Sequence, residues 1–237
     1  MNQYLNNEQS YNVEVAREFF RNVYTYMFGA LGISGALAYV VGTNESLFAQ
    51  LFITAEGGIS PIFYVIMFAP VGLALLIQGA VNRFSMGTLL LLFIAYSGLM
   101  GLSLSTIFLV YNLTSIATTF FIAAGAFGGM AVLGYTTKTD LTKFGSLLYM
   151  VFIGIFIAGI VNIFLGSDSL GFIIAAIGVF VFTGLTAYQM QQLKEMANHP
   201  GLSVEERNKL SLIGGLQLYI LFVNLFLSLL RLLGSRD

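Results

Sequence analysis

Seven stretches of this chain, each about twenty residues or longer, carry almost nothing that water could solvate. They are Phe20–Val41, Pro61–Val81, Met86–Tyr111, Thr114–Tyr135, Phe144–Leu165, Leu170–Gln191 and Leu210–Leu233. A helix rising about 1.5 Å per residue needs about 20 apolar residues to cross a hydrocarbon core about 30 Å thick. All seven qualify. No run alternates apolar and polar residues in the manner of a membrane β-strand. The charge count excludes a soluble globule: at the usual 25%, a chain of this length would carry roughly 59 charged side chains. This one has 10 basic and 11 acidic residues among its 237. The expected fold class is therefore all-α and integral to a membrane. Residues 1–19 form a polar cytoplasmic tail and residues 20–234 a single seven-helix domain whose first partner is the lipid bilayer.

A net charge of −1 argues against a nucleic-acid partner, which would demand a basic face. The absence of Cys rules out disulfides, thiolate metal sites and Cys nucleophiles. Met1 to Ala16 is polar and slightly acidic, so it is not expected to be a secretory signal. Connections between spans are short except Gly42–Ser60 and Leu193–Lys209. The latter contains the turn signal Asn198-His199-Pro200-Gly201 and then Ser203 before Glu205 and Glu206, an N-cap with early acids.

The bases set an expected orientation. Arg17, Arg21, Arg83, Lys138, Lys143, Lys194, Arg207 and Lys209 all fall before the first span or after the second, fourth and sixth. The loops after the first, third and fifth spans have none. Basic loops stay in the cytoplasm, so the N-terminus is expected there. Seven crossings would then leave Arg231 and Arg236 outside. A re-entrant last segment would return them, but 24 unbroken residues fit one crossing better. Two small-xxx-small pairs, Gly125 with Gly129 and Ser97 with Gly101, are expected at helix contacts, and the glycines in general are expected to be packing residues.

The spans lack catalytic equipment. Every Asp and Glu falls in a tail, in a loop or at a span end, all four lysines are in loops, and the one histidine is His199 in the turn. Intramembrane hydrolysis needs a base beside a nucleophile, a His-ligated metal or a carboxylate pair. A retinal Schiff base needs a Lys within a span. The chain is expected not to be an enzyme, with no catalytic residue, no cofactor and no assigned metal ligands. His199 is expected to be a solvated turn residue, although it alone titrates near neutrality unperturbed.

Polar groups inside a bilayer are costly and mark function by default. In the last span Gln217, Asn224, Ser228 and Arg231 lie 7, 11 and 14 positions on from the first, along one face, and Leu221 occupies the position that would complete the stripe. The sixth span carries Thr183, Thr186, Gln189 and Gln192, and the fifth Asn162. These groups read either as hydrogen-bonding glue between helices, at about 0.6 kcal/mol per pair, or as the lining of a permeation or substrate path. Arg83 likewise either snorkels to the headgroups or turns inward to the side chain of Gln189. The gate or path candidates are thus Arg83, Gln189, Gln217, Leu221, Asn224 and Ser228.

Several segments in order resemble the bacterial branch of the Bax inhibitor-1 family. They are Met100-Gly101-Leu102-Ser103-Leu104-Ser105-Thr106-Ile107-Phe108, Asp140-Leu141-Thr142 through Asn162-Ile163-Phe164, Leu185-Thr186-Ala187-Tyr188, Leu218-Tyr219, and Asn224-Leu225-Phe226 through Arg231-Leu232-Leu233-Gly234. The resemblance implies seven helices with the last one central, a bacterial inner-membrane location, and a role in calcium leak and stress control. It equally admits a regulator of membrane-protein quality control that binds other membrane proteins and transports nothing. In the family's calcium-leak members an Asp follows the sixth-span Tyr and a second Asp lies in the seventh span. They form a pH-sensing pair, and an Arg matching Arg83 bonds to one of them. Here Gln189 and Leu221 stand at those two positions. What the resemblance implies is a leak for Ca²⁺ or another cation that has lost its titrating gate, with any flux weak and nearly flat between about pH 5 and 8.

Overall fold

Lipid offers no hydrogen bonds, so a backbone crossing it must satisfy its own donors and acceptors. The chain does so with helices. In the computed structural model the backbone is described for residues 2–235 and the side-chain surroundings for residues 14–235. The helices are α1 Asn2–Gly42, α2 Glu45–Phe52, α3 Pro61–Gly79, α4 Met86–Leu104, α5 Leu113–Thr136, α6 Thr142–Leu165, α7 Asp168–Ala197 and α8 Val204–Leu233, with a 3₁₀ turn at Ser105–Leu109 continuing α4. Among the described residues seven helices are long and apolar enough to cross a membrane, all but α2. The all-α seven-helix membrane fold expected from the sequence is the one observed. The helix boundaries move, however. The polar segment ahead of the first span is helical from Asn2, and α7 and α8 run past their apolar cores to Ala197 and back to Val204.

The starts of the helices follow local chemistry. Asn44, Ser60, Ser85, Asn112 and Ser167 each accept a backbone N–H of the first turn through the side chain. This satisfies donors that a helix otherwise leaves open. Pro61 opens α3 where no N–H is needed. Gly166, at φ 60°, ends α6, and Ser167 N donates to Asn162 Oδ1 at 3.2 Å. Asn162 is therefore a cap for the α6–α7 turn.

Two compact units divide the chain. One comprises Met1–Val110 and His199–Leu216, the other Tyr111–Asn198 and Gln217–Asp237, so α8 contributes to both. In the first unit α1 lies against α4. A Cβ on Gly101 would lie 2.7 Å from Ser34 O and 2.8 Å from its Cα, and Ser97 beside it is fully buried, donating to Phe93 O. That small pair is a helix contact, as expected. The long Gly42–Ser60 connection is not a bare loop. It folds α2 and a single antiparallel bridge, Ile53 to Ile59, and buries Phe52 with Val41 and Ile66.

In the second unit α7 packs against α5 and α6 through missing side chains. A Cβ on Gly134 of α5 would run into the Ala187 backbone, and one on Gly145 of α6 into the Tyr188 ring. Phe222 of α8 packs edge-on between Phe120 and Phe127 of α5, with ring centroids 5.3 and 5.5 Å away. The other small pair is a correction. Gly125 and Gly129 have nothing within 4 Å of a built Cβ. The packed stripe of α5 is Ala123, Phe127, Ala131 and Gly134. Gly125 lies two residues on from Ala123, a rotation of about 200°, and so faces away. Gly29, Gly32, Gly35, Gly154 and Gly159 are equally open, so many of the glycines are not contacts.

The last segment has the length and apolarity of the single crossing expected of it. Helix α8 runs 30 residues without a break, about 45 Å. Its end meets the start of α5, where Ser235 N donates to Ser115 Oγ at 3.1 Å. Arg236 lies outside the described residues.

Candidate functional site

Within the second unit, α8 offers one accessible face. From Gln217 to Arg231 only Gln217, Ile220, Asn224, Leu227, Ser228 and Arg231 are partly exposed, and every other residue is buried. The Gln, Asn, Ser and Arg side chains of this stretch are thus all on the accessible stripe, at the spacing read from the sequence. The stripe is about 21 Å long, some two-thirds of a hydrocarbon core. Leu221 is not on it: the side chain is 7% exposed and packed inward.

At one end the ladder is closed by an amide pair. Gln189 of α7 is 4% exposed, and its Nε2 donates to Gln217 Oε1 at 2.7 Å. Both residues are candidates from the sequence, but their pairing is not legible there, because it depends on the rotation of α7 against α8. Further along, Asn224 Nδ2 donates to Ile220 O, one turn back on its own helix, at 2.8 Å. Ser228 lies over Gly178, where a Cβ would come within 2.6 Å of its Oγ. At the far end the Arg231 guanidinium occupies the space a side chain at Gly171 would need, and Nη2 lies 4.0 Å from Asp168 Oδ1. Gly171, Ala175 and Gly178 are buried on one face of α7. They form the notch that lets long and polar side chains of α8 approach that helix backbone.

Other polar groups turn out to be structural. Thr183 and Thr186 donate to carbonyls one turn back on α7, Val179 O and Phe182 O. Sequence reasoning passed over Gln191. Its Nε2 donates to Thr139 O while its Oε1 accepts from Leu141 N, both at 2.8 Å, clamping the α5–α6 connection to α7. No spacing rule could have found that, since the partners are backbone atoms of a loop. Lys194 Nζ donates to Tyr135 O in the last turn of α5, a charge placed where the helix dipole welcomes it. In the same connection Thr142 donates to Asp140, through its hydroxyl and its amide, and holds that carboxyl below the usual carboxylate range.

Arg83 lies in the turn after α3 and is exposed. His199 is exposed in its turn, with Nδ1 2.9 Å from Pro200 O. Among the described residues no group of three or more His, Asp or Glu could hold a metal ion. What the ladder can offer chemically is neutral oxygen and N–H dipoles with one guanidinium at its end.

The sequence family described as Inhibitor of apoptosis-promoting Bax1 matches residues 16–237. The chain is 41% identical over 229 residues to an uncharacterized protein of Borreliella burgdorferi, covering 97% of each. It is 43% identical over 223 residues to an uncharacterized protein of Rickettsia prowazekii, covering 94% of this chain and 92% of that one. It is 39% identical over 224 residues to the inner membrane protein YbhL of Escherichia coli, covering 92% of each. With seven spans, the polar stripe on the last of them and a match across nearly its whole length, the chain belongs to the Bax inhibitor-1 family.

Proposed function

We propose that this protein is a weak cation leak of the bacterial inner membrane whose path follows the polar face of α8. The observation that carries this reading is the coincidence of polarity and accessibility: between Gln217 and Arg231 the amide, hydroxyl and guanidinium side chains lie on the one face that is not sealed. Glue alone would favour burial of those groups, as it does for Gln189. The burial of α8, the highest of the seven spans at 67% of its apolar stretch, supports a central place for it among the helices. The likeness to YbhL supports the inner membrane, and the clustering of bases around the even-numbered connections supports a cytoplasmic N-terminus.

On this reading the protein is not an enzyme, needs no cofactor and has no nucleic-acid partner. Gln189 stands where a titrating carboxylate would gate the path, so flux is small and nearly flat from about pH 5 to 8. Purified protein in liposomes loaded with a calcium reporter tests this. A small leak above empty vesicles, flat with pH, is expected. Gln189→Asp with Leu221→Asp should introduce pH dependence that neither change gives alone. No flux above empty vesicles overturns the leak, and so does a steep acid-sensitive flux that survives His199→Gln.

One observation favours a second reading, a non-transporting regulator that binds other membrane proteins. Gly125, Gly128 and Gly129 leave an open flat strip on α5, the kind of surface against which a foreign helix packs closely. Crosslinking from cysteines placed on this Cys-free chain would recover such a partner.

A further inference from the structure

We propose that Arg231 is the charge barrier of the α8 path: its guanidinium, seated in the notch at Gly171, makes that end of the ladder resist cations, divalent ones most, and so keeps the leak small. This rests on the leak reading above and deepens it. Three observations carry it. The ladder from Gln217 to Ser228 is uncharged, so one fixed charge at its end sets the sign of the local potential. The guanidinium fills the space that Gly171 leaves beside α7, since a Cβ there would overlap it. The counter-charge lies further out. The Asp168 side chain is 84% exposed against 36% for Arg231, and the two are 4.0 Å apart. Solvent and salt therefore screen the acid more than the base. An Arg beside a helix N-terminus, here that of α7, is a known physical means of keeping cations out of a pore.

The barrier can be read without any flux measurement. Ser228→Cys places one thiol in the ladder of a chain with no other cysteine. Ser228 and Arg231 are three residues apart on one helix, about 6 Å between side chains. At that distance a unit charge in water-like surroundings changes the rates of oppositely charged reagents by about tenfold relative to each other. The full-length protein in non-ionic micelles is treated with sulfonatoethyl and trimethylammonioethyl methanethiosulfonate, each rate normalised to a free thiol. The anionic reagent should win. Adding Arg231→Gln should lower the ratio about tenfold, Arg231→Lys should preserve it, and Gly171→Val, which evicts the guanidinium, should lower it in part. Asp168→Asn should raise it. A ratio that moves less than about twofold on Arg231→Gln overturns the barrier while leaving the path. A thiol inert to both reagents in every variant overturns both. If the ratio moves but no variant, Arg231→Gln included, leaks calcium into liposomes, the barrier stands and the leak reading falls.

Discussion

Helices α6 and α8 invert the rule by which soluble proteins are read. Helix α6 is the most apolar of the seven spans, yet only 11% of its apolar stretch is buried, against 67% for α8. Between Ser146 and Asn162, α6 has no amide, carboxylate or hydroxymethyl group at all, whereas α8 has Gln217, Asn224, Ser228 and Arg231. In water the most apolar helix would be hidden. In a bilayer an apolar side chain loses little by facing out, and the places inside go to helices whose polar or small residues need a partner. The two helices therefore respond differently to the same kind of change.

The sharpest break comes from adding bulk. Gly134→Val drives a side chain into the backbone of Ala187, across the contact between α5 and α7. Overpacking that the backbone must absorb costs above about 3 kcal/mol, so most of the folded protein should be lost in a thermal melt in detergent. The same change at Gly154 of α6, which has nothing within 4 Å, should stay within about 0.5 kcal/mol. Equal losses would mean that α6 is not an outer helix.

Removing bulk asks the question in reverse. Leu225 of α8 is fully buried, and Leu225→Ala should cost about 2–4 kcal/mol through the cavity it leaves. Phe164 of α6 is 85% exposed, and Phe164→Ala should cost below about 0.5 kcal/mol in the same chemical-denaturation series. A comparable cost at both would erase the distinction.

A smaller effect sharpens the comparison at the polar core. Gln189→Leu and Gln217→Leu, alone and together, form a double-mutant cycle whose coupling should be about 0.6–1.7 kcal/mol, the range for hydrogen bonds between membrane helices. Zero coupling would mean that the 2.7 Å bond contributes nothing.

The smallest effect belongs to the approach to α6. Asp140 has its pKa lowered by the bonds from Thr142, so its contribution is fully present above the ordinary carboxylate pKa and disappears as pH falls through the lowered value. Asp140→Asn should therefore flatten the acid limb of the melting temperature below about pH 4 and leave neutral pH nearly unchanged. An unchanged acid limb would remove Asp140 from any structural role.

Much of this was legible in the residues. Span number, the Ser97–Gly101 contact and the polar stripe of α8 all follow from periodicity and length, which lipid enforces strictly. What could not be read was rotation. The Gly125–Gly129 pair has the composition of a contact and faces outward, because the packed stripe of α5 is set by Ala123, Phe127, Ala131 and Gly134. The same ambiguity hid the partnership of Gln189 and Gln217. Apolar helices look alike on every side when both solvent and core are oily, so the sequence marks the faces only where a polar or notched residue breaks the symmetry. The short helix Glu45–Phe52 was missed for a different reason: eight residues are too few to show a period.

The sharing of α8 between the two compact units has a consequence for manufacture. Ribosomes deliver the chain from its N-terminus, at about 5–20 residues per second. Gln217 is made 28 residues after Gln189, so the buried amide waits roughly 1–6 s for its partner. Until the final helix is threaded, neither unit has its full complement of segments, and Gln189 lacks the amide it bonds to in the finished fold. A nonsense codon within α8 should therefore remove the whole protein rather than shorten it, which an immunoblot of the membrane fraction would show.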